Sequence, residues 1–221
     1  MPYKYLDDLS LLSSFLIERL HFQLPGQHSH QKMIPEGRIN LKREVLSGET
    51  VRLAAVLIAI FIEDQEIKTI FIKRNTYDGV HSGQIAFPGG RLEPDDPDLV
   101  FTAMREAREE VNIDPNSVNI LGQLSRIYIP PSRYEVLPVL GTLKEPPILT
   151  PDKSEVEEVF TWKLNDLLNP ANRNIKQITL SDGNKWEVPC FTLGNHIIWG
   201  ATSMIISELI DIISEMKINQ E

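Results

Sequence analysis

FPGGRLEPDDPDLVFTAMREAREEV, residues 87–111, joins a double-glycine turn to an acidic helical pattern. Adjacent Gly89 and Gly90 allow a backbone turn that other residues resist. Asp96 before Pro97 predicts a helix start, with Asp96 as the cap and Pro97 in the first turn, where its missing N–H costs nothing. The predicted helix runs from about Pro97 to Val111, and Leu99, Ala103, Ala107 and Val111 supply an apolar stripe at four-residue spacing. Glu106, Glu109 and Glu110 fall on neighbouring positions of one face, flanked by Arg105 and Arg108. Three carboxylates so close repel one another unless positive charge sits among them. Taken alone, the string reads either as a solvated face with Arg–Glu pairs worth roughly a few tenths of a kcal/mol each, or as a site for Mg²⁺ or Mn²⁺. Hard cations take oxygen ligands and keep waters that phosphates replace. The string does not choose between them.

Outward from this stretch, VRLAAVLIAIFI (Val51–Ile62) is an apolar, β-branched run, and IKTIFIKR (Ile67–Arg74) alternates, so the two predict a hairpin. A loop with Gly79, Gly83, Gly89 and Gly90 leads into the acidic helix. Further strands are expected at about Val118–Leu124, Tyr134–Leu143 and Glu157–Lys163, and a last hairpin from Lys176–Leu180 and Phe191–Ile198. A closing helix spans about Ala201–Met216, with Trp199 expected to pack in the core at its start, a pocket wall being the alternative. Strands and helices mix without regular βαβ alternation. The expectation is an α/β protein with a mixed sheet between helices. At the N-terminus, Leu9–Leu20 shows helical spacing, and the Pro- and Gly-bearing stretch from Gln23 to Arg38 reads as a linker whose His28 and His30 are solvated. Residues 1–38 are thus expected as a helical arm and linker, and residues 39–221 as the main domain.

The chain of 221 residues has a net charge of −9, and this acidity argues against a nucleic-acid or anionic-membrane binder. An anionic substrate would need a cation to draw it in. Cys190 is the single cysteine, which excludes an intrachain disulfide and fits a reducing cytoplasm. No window carries enough uncharged apolar residues to span a membrane. The charged N-terminus does not read as a signal peptide. Cys190 reads as a small buried hydrophobe.

With its upstream context the acidic stretch resembles the Nudix box, carried by Gly90, Arg105, Glu106, Ala107, Glu109, Glu110 and Ile113. It departs from the general pattern in three places. The Gly90-to-Arg105 spacing is one residue longer, Asp96 stands at the isolated Glu, and Asn112 replaces the final Gly. Asn tolerates the left-handed conformation that ends a helix. Arg74, His81, Gly83, Gln84, Phe87, Pro88, Gly89 and Gly90 resemble the signature that precedes the box in the coenzyme A diphosphatase branch, which shares the longer spacing and the Asp. Pro138, Gly141, Glu155, Val156, Phe160 and Trp199–Thr202 extend the likeness over roughly Arg52–Leu209.

The resemblance implies a Nudix fold and metal-dependent hydrolysis of the diphosphate of coenzyme A or its thioesters, giving 3′,5′-ADP and 4′-phosphopantetheine or its acylated form. It assigns Mg²⁺ or Mn²⁺ to Glu106, Glu109 and Glu110. Glu109 is the first choice of base, with Glu155 competing, and Arg105 fixes the glutamates. Arg74, His81, Gln84, Gly90 and Arg91 would meet the substrate. Other readings are a Nudix enzyme for ADP-ribose, a dinucleotide or a damaged nucleotide, and a non-catalytic Nudix-fold binding module. The expected partner is a small molecule, and the sequence leaves homodimerisation open.

Overall fold

A computed structural model of the protein describes residues 8–36, 51–76, 81–179 and 183–216. The expected boundary at residues 38 and 39, together with Gly79 and Leu180, lies outside the described residues.

Strands β1 (Arg52–Glu63) and β2 (Glu66–Arg74) form the predicted hairpin, with Ile60 opposite Thr69 and Glu63 opposite Glu66. Asp64 and Gln65 link them at φ of 54° and 64°, the two-residue left-handed turn whose twist suits adjoining strands. Two short strands, β3 (Ile85–Ala86) and β4 (Gly89–Arg91), occupy the glycine loop and pair with β2 and β1. Helix α3 (Leu99–Val111) follows them. Strands β5 (Val118–Gln123) and β6 (Ile127–Ile129) pair antiparallel with β7 (Tyr134–Leu143), which itself runs parallel to β1 from Arg52–Tyr134 to Ile60–Thr142. Strand β8 (Val156–Lys163) closes the sheet antiparallel to β2. The sheet is mixed.

Its two faces bury different residues of β1. Ala55, Leu57, Ala59 and Phe61 pack with Leu99, Ala103, Ala107 and Val111 of α3. Ile58 and Ile60 pack with Leu12 and Leu16 of α1 (Leu9–Arg19) and with Ile205 and Leu209 of α5 (Gly200–Glu215). A strand covered on both faces has no polar side to show, which is why Val51–Ile62 reads as a continuous apolar run. Helices sandwich the sheet, as expected.

The N-terminal stretch differs from the expected arm and linker. Leu12, Leu16 and Met33 are fully buried in the core shared with the sheet, and a short helix α2 (Gln27–Gln31) packs on α5. His28 is exposed, but His30 is buried, contrary to the solvated reading, with Nε2 3.0 Å from Oε2 of Glu208. Glu208 is fully buried on α5 and also accepts from the backbone N–H groups of Gly26 (3.0 Å) and Ser125 (3.2 Å). Burial raises its pKa, but the donors from His30, Ser125 and Gly26 outweigh that and hold it below the ordinary value. A buried carboxylate must gather donors, and these come from two loops far away in sequence. Glu208→Ala should therefore cost about 3 kcal/mol, because the buried N–H groups of Gly26 and Ser125 and the His30 ring would lose their acceptor. Urea unfolding measures it, and a loss under about 1 kcal/mol, the level of an exposed pair, would show that this carboxylate anchors nothing.

The C-terminal hairpin is also rearranged. Strand β9 (Arg173–Thr179) pairs with β10 (Lys185–Leu193), and β10 folds back at Gly194–Asn195 onto β11 (His196–Trp199), forming a three-stranded sheet. The segment expected as one strand, Phe191–Ile198, contains a turn that Gly194 makes at φ 58°. A short helix α4 (Leu164–Leu168) follows β8 and adds Leu164, Leu167 and Leu168 to the core.

Candidate active site

Asp96 is not the cap of α3. Asp98, in extended conformation, accepts from the N–H of Phe101 at 2.8 Å and caps the helix. Asp96 turns inward, where its oxygens accept from the Glu93 N–H, the Thr102 hydroxyl and, at 2.9 Å each, from Nε and Nη2 of Arg105. Two aspartates flank Pro97, so local capping chemistry allowed either; Arg105, a full helical turn and more away, selects Asp98 by claiming Asp96. That two-pronged charge-assisted pairing holds the Asp96 carboxyl far below the usual carboxylate range. At the other end Asn112 adopts the left-handed conformation (φ 64°, ψ 36°) and stops the helix, as its chemistry suggested.

Arg105 is a hub. Besides Asp96, its Nη1 donates to Glu106 (3.1 Å) and Glu109 (2.8 Å), and its Nη2 donates to the Arg91 carbonyl (3.1 Å). It thereby ties α3 to the loop before it and, through the Arg91 carbonyl, to β4.

The glycine turn brings backbone and carboxylates to close range. A Cβ on Gly89 would lie 2.3 Å from the Ala55 carbonyl oxygen, and one on Gly90 would lie 2.4 Å from the Glu106 carboxylate. The bare backbone lets the Gly89 N–H donate to Oε2 of Glu110 at 2.8 Å, while Nη2 of Arg74 donates to the Gly89 carbonyl at 2.7 Å. Arg74 Nη1 stands 3.5 Å from Oε1 of Glu110, near enough to attract it but without a hydrogen bond. Glu110 is 2% exposed, so Oε1 is a buried carboxylate oxygen with no hydrogen-bond partner. Burial pushes its pKa up to about 7; Arg74 and the Gly89 N–H oppose the rise, and Glu106 and Glu155 add to it. Burial also raises Glu106, against the pull of Arg105 and with the push of Glu109 and Glu155.

Glu155, exposed on the turn before β8, thus acts on both Glu106 and Glu110 across some forty-five residues of chain. Its carbonyl accepts from the N–H of Asn75, which fixes this turn beside Arg74. Glu109 is the exposed member of the helix trio. Among the described residues no three or more His, Cys, Asp or Glu side chains are gathered closely enough to hold a metal ion by themselves. An unsatisfied buried oxygen beside one half-buried and one exposed carboxylate instead suits a hard divalent cation that completes its shell with water and phosphate oxygens. The donor set fits.

His81 and Gln84 meet through Nδ1 and Oε1 at 3.1 Å, with the imidazole donating when Oε1 is the acceptor. Burial, with Arg74 nearby, holds the imidazole below its ordinary pKa despite that bond. The Gln84 carbonyl accepts from the N–H of Arg74 at 3.0 Å, tying this segment to the carboxylates. Arg91 is not brought in: its guanidinium is exposed and pairs with Glu93 at 3.4 Å. Trp199, expected in the core, is half-buried and walls an open cleft of about 350 Å³ together with Lys73, Gln84, Glu158, Asn195 and His196. The Gly194–Asn195 turn signal would have placed His196 and Trp199 on a short returning strand, and so beside this cleft.

Residues 51–181, more than half of the chain, match the NUDIX domain. Over 179 residues the chain is 32% identical to the mitochondrial coenzyme A diphosphatase NUDT8 of Homo sapiens, an alignment covering 77% of this chain and 75% of that protein. It is 34% identical over 158 residues to the uncharacterised Nudix hydrolase NudL of Photorhabdus laumondii, covering 72% and 83% of the two. Among solved structures, the Nudix hydrolase RenU of M. smegmatis shares the fold, with a TM-score of 0.51 at 12% identity over 75% of this chain and 88% of that one. The glycine turn, the Arg105-braced glutamate helix and these likenesses agree: the chain belongs to the Nudix family of pyrophosphohydrolases.

Proposed function

We propose that the protein hydrolyses the diphosphate bond of coenzyme A or acyl-coenzyme A, releasing 3′,5′-ADP and 4′-phosphopantetheine or its acylated form, with Mg²⁺ or Mn²⁺ as cofactor. The observation that carries the metal-dependent hydrolysis is the buried, unsatisfied Oε1 of Glu110 beside Arg74 at the glycine turn. The named activity of the human and mouse relatives supports the substrate. Nudix hydrolases as a family use divalent cations, and Glu106, Glu109 and Glu110 are the groups that would hold them here. A bound divalent ion supplies charge neutralisation on diphosphate oxygens and orients a water for in-line attack.

The protein's own residues do the rest. Arg105, locked on Asp96, holds Glu106 and Glu109 in place. Arg74, anchored on the Gly89 carbonyl, presents its remaining donors toward a phosphate at the turn. Glu109, exposed and on the helix, takes the proton from the attacking water; Glu155, on the facing turn, is the competing base. His81 and Gln84 contact the substrate from the adjoining segment. The lone buried Cys190 fits a reducing cytoplasmic setting, and no helix of the described residues is long and apolar enough to cross a membrane.

The test is product analysis on coenzyme A, acyl-coenzyme A, ADP-ribose and nucleoside triphosphates with added metal. Preferential release of 3′,5′-ADP supports the reading; preference for ADP-ribose or a triphosphate replaces it with another Nudix substrate. No turnover on any of them favours a binding module.

Substrate choice has to come from groups outside the helix, because many nucleotides share the diphosphate. His81→Ala or Gln84→Ala should lower kcat/KM for coenzyme A by roughly 5- to 150-fold, the equivalent of about 1–3 kcal/mol for an unsatisfied contact. ADP-ribose hydrolysis should fall less. Equal losses on both substrates would place the segment in catalysis or folding instead.

A further inference from the structure

The cleft walled by Lys73, Gln84, Glu158, Asn195, His196 and Trp199 lies outside the carboxylate helix, and the diphosphate chemistry does not use it. It adjoins the site through two neighbouring residues. Lys73 immediately precedes Arg74 on β2, and Gln84 bonds His81 through its side chain and Arg74 through its carbonyl. A bulge falls between Lys73 and Arg74, where Lys73 pairs with Glu158 but Arg74 pairs with Val156. Bulges re-aim side chains next to functional sites. Here Arg74 goes to Glu110 and Lys73 goes to the cleft.

The lysine of the cleft is already paired, and its histidine sits against a carboxylate. Lys73 Nζ lies 2.6 Å from Glu157, and His196 Nε2 lies 3.3 Å from Glu158. His196 also stacks on Phe160 with ring centroids 4.1 Å apart, so the turn that carries it is braced from below. A phosphorylated group would meet Glu158 and no uncommitted cation among these residues. An uncharged chain with amide donors and acceptors would meet the amides of Gln84 and Asn195 and the flat indole of Trp199. About 350 Å³ falls within the range of small-molecule sites.

We propose that this cleft receives the neutral, amide-bearing arm of the substrate, and that Asn195 and Trp199 determine specificity for it. The assignment rests on the coenzyme A reading, whose substrate has one such arm and one phosphorylated nucleoside end. Pantetheine, which carries the arm without any phosphate, is the probe. Saturation-transfer NMR on metal-free wild-type protein should show it bound. Trp199→Ala and Asn195→Ala should each weaken that binding by about fivefold, the size of one lost aromatic or hydrogen-bonding contact. The KM for coenzyme A should rise by the same factor with kcat unchanged. Excess 3′,5′-ADP should leave pantetheine bound.

Asn195 is exposed at a turn, so its variant keeps the test valid even if Trp199→Ala disturbs the start of α5. Failure of pantetheine to bind, equal binding by the Asn195 variant, or displacement by 3′,5′-ADP overturns the assignment. Pantetheine binding that depends on Asn195, in a protein that does not hydrolyse coenzyme A, would sink the activity reading and leave the cleft's specificity standing.

Discussion

Glu110→Gln should lose about 10²–10⁴ in turnover, the range of a removed general base or of a group that holds a catalytic metal. The same variant should make the metal-free protein more stable at pH 8. The two effects share one cause. Glu110 is 2% exposed, and burial raises its pKa to about 7 from an ordinary value of 4.5. The folded state therefore binds a proton more tightly than the unfolded state. Stability is greatest below about pH 4.5 and falls as pH rises through about 7, because folding then holds a buried anion. Full linkage over that window amounts to about 3 kcal/mol. The Gln variant forgoes the attraction of Arg74, so a gain of about 1–2 kcal/mol is expected. The Gln carbonyl still accepts from the Gly89 N–H. Glu109→Gln should lose comparable turnover but gain no stability, because that side chain is exposed. Thermal melts in chelator at pH 5 and pH 8 separate the cases. A Glu110→Gln variant that keeps wild-type rates would show that this carboxylate has no part in turnover, and one that melts lower at pH 8 would show that burying its charge costs the fold nothing.

What could be read from the sequence, and what could not, follows the range of each interaction. The apolar stripe of α3 is periodic, so residue spacing alone placed it, and β1 was legible as an unbroken apolar run. The glycine turn and the three glutamates lie within twenty-two residues of one another, and their geometry is largely local. The failures share a different cause. Asp96 was read as a cap because capping is local chemistry, whereas its partner Arg105 is chosen by the way α3 docks on β4. His30 was read as solvated because Glu208 lies 178 residues away. Trp199 was assigned to the core from its bulk, whereas the Gly194–Asn195 turn sets it beside the cleft. Arg91, which the resemblance offered as a charge-assisted substrate contact, pairs instead with Glu93 at the surface. At Asp96 and His30 a tertiary partner overrode a sound local preference.

Chelator-treated protein should be inactive, recover with Mg²⁺ or Mn²⁺, and melt higher once the ion is restored. A diphosphate is itself an anion, and in this chain of net charge −9 Arg105 is committed to Asp96, which leaves Arg74 as one cation facing three glutamates. Bringing the substrate against Glu106, Glu109 and Glu110 without added positive charge would set like charges together in a partly desolvated site. A divalent ion removes that repulsion and gives the buried Oε1 of Glu110 the partner it lacks. Ion and proton then compete for the same oxygen, so apparent metal affinity should rise as pH passes upward through about 7. At 100 times the dissociation constant, binding to the folded state alone contributes about 2.7 kcal/mol. Part of that is offset as the Arg105 bonds to Glu106 and Glu109 loosen, and a rise in Tm of about 5 °C is the expected net result. In Glu110→Gln the rise should shrink and its pH dependence should vanish. Melting curves against metal concentration at pH 6 and pH 8, beside turnover in the same buffers, decide the matter. Full turnover in rigorously metal-free buffer, or a metal-induced rise equally large in the Gln variant, would remove the cation from this site.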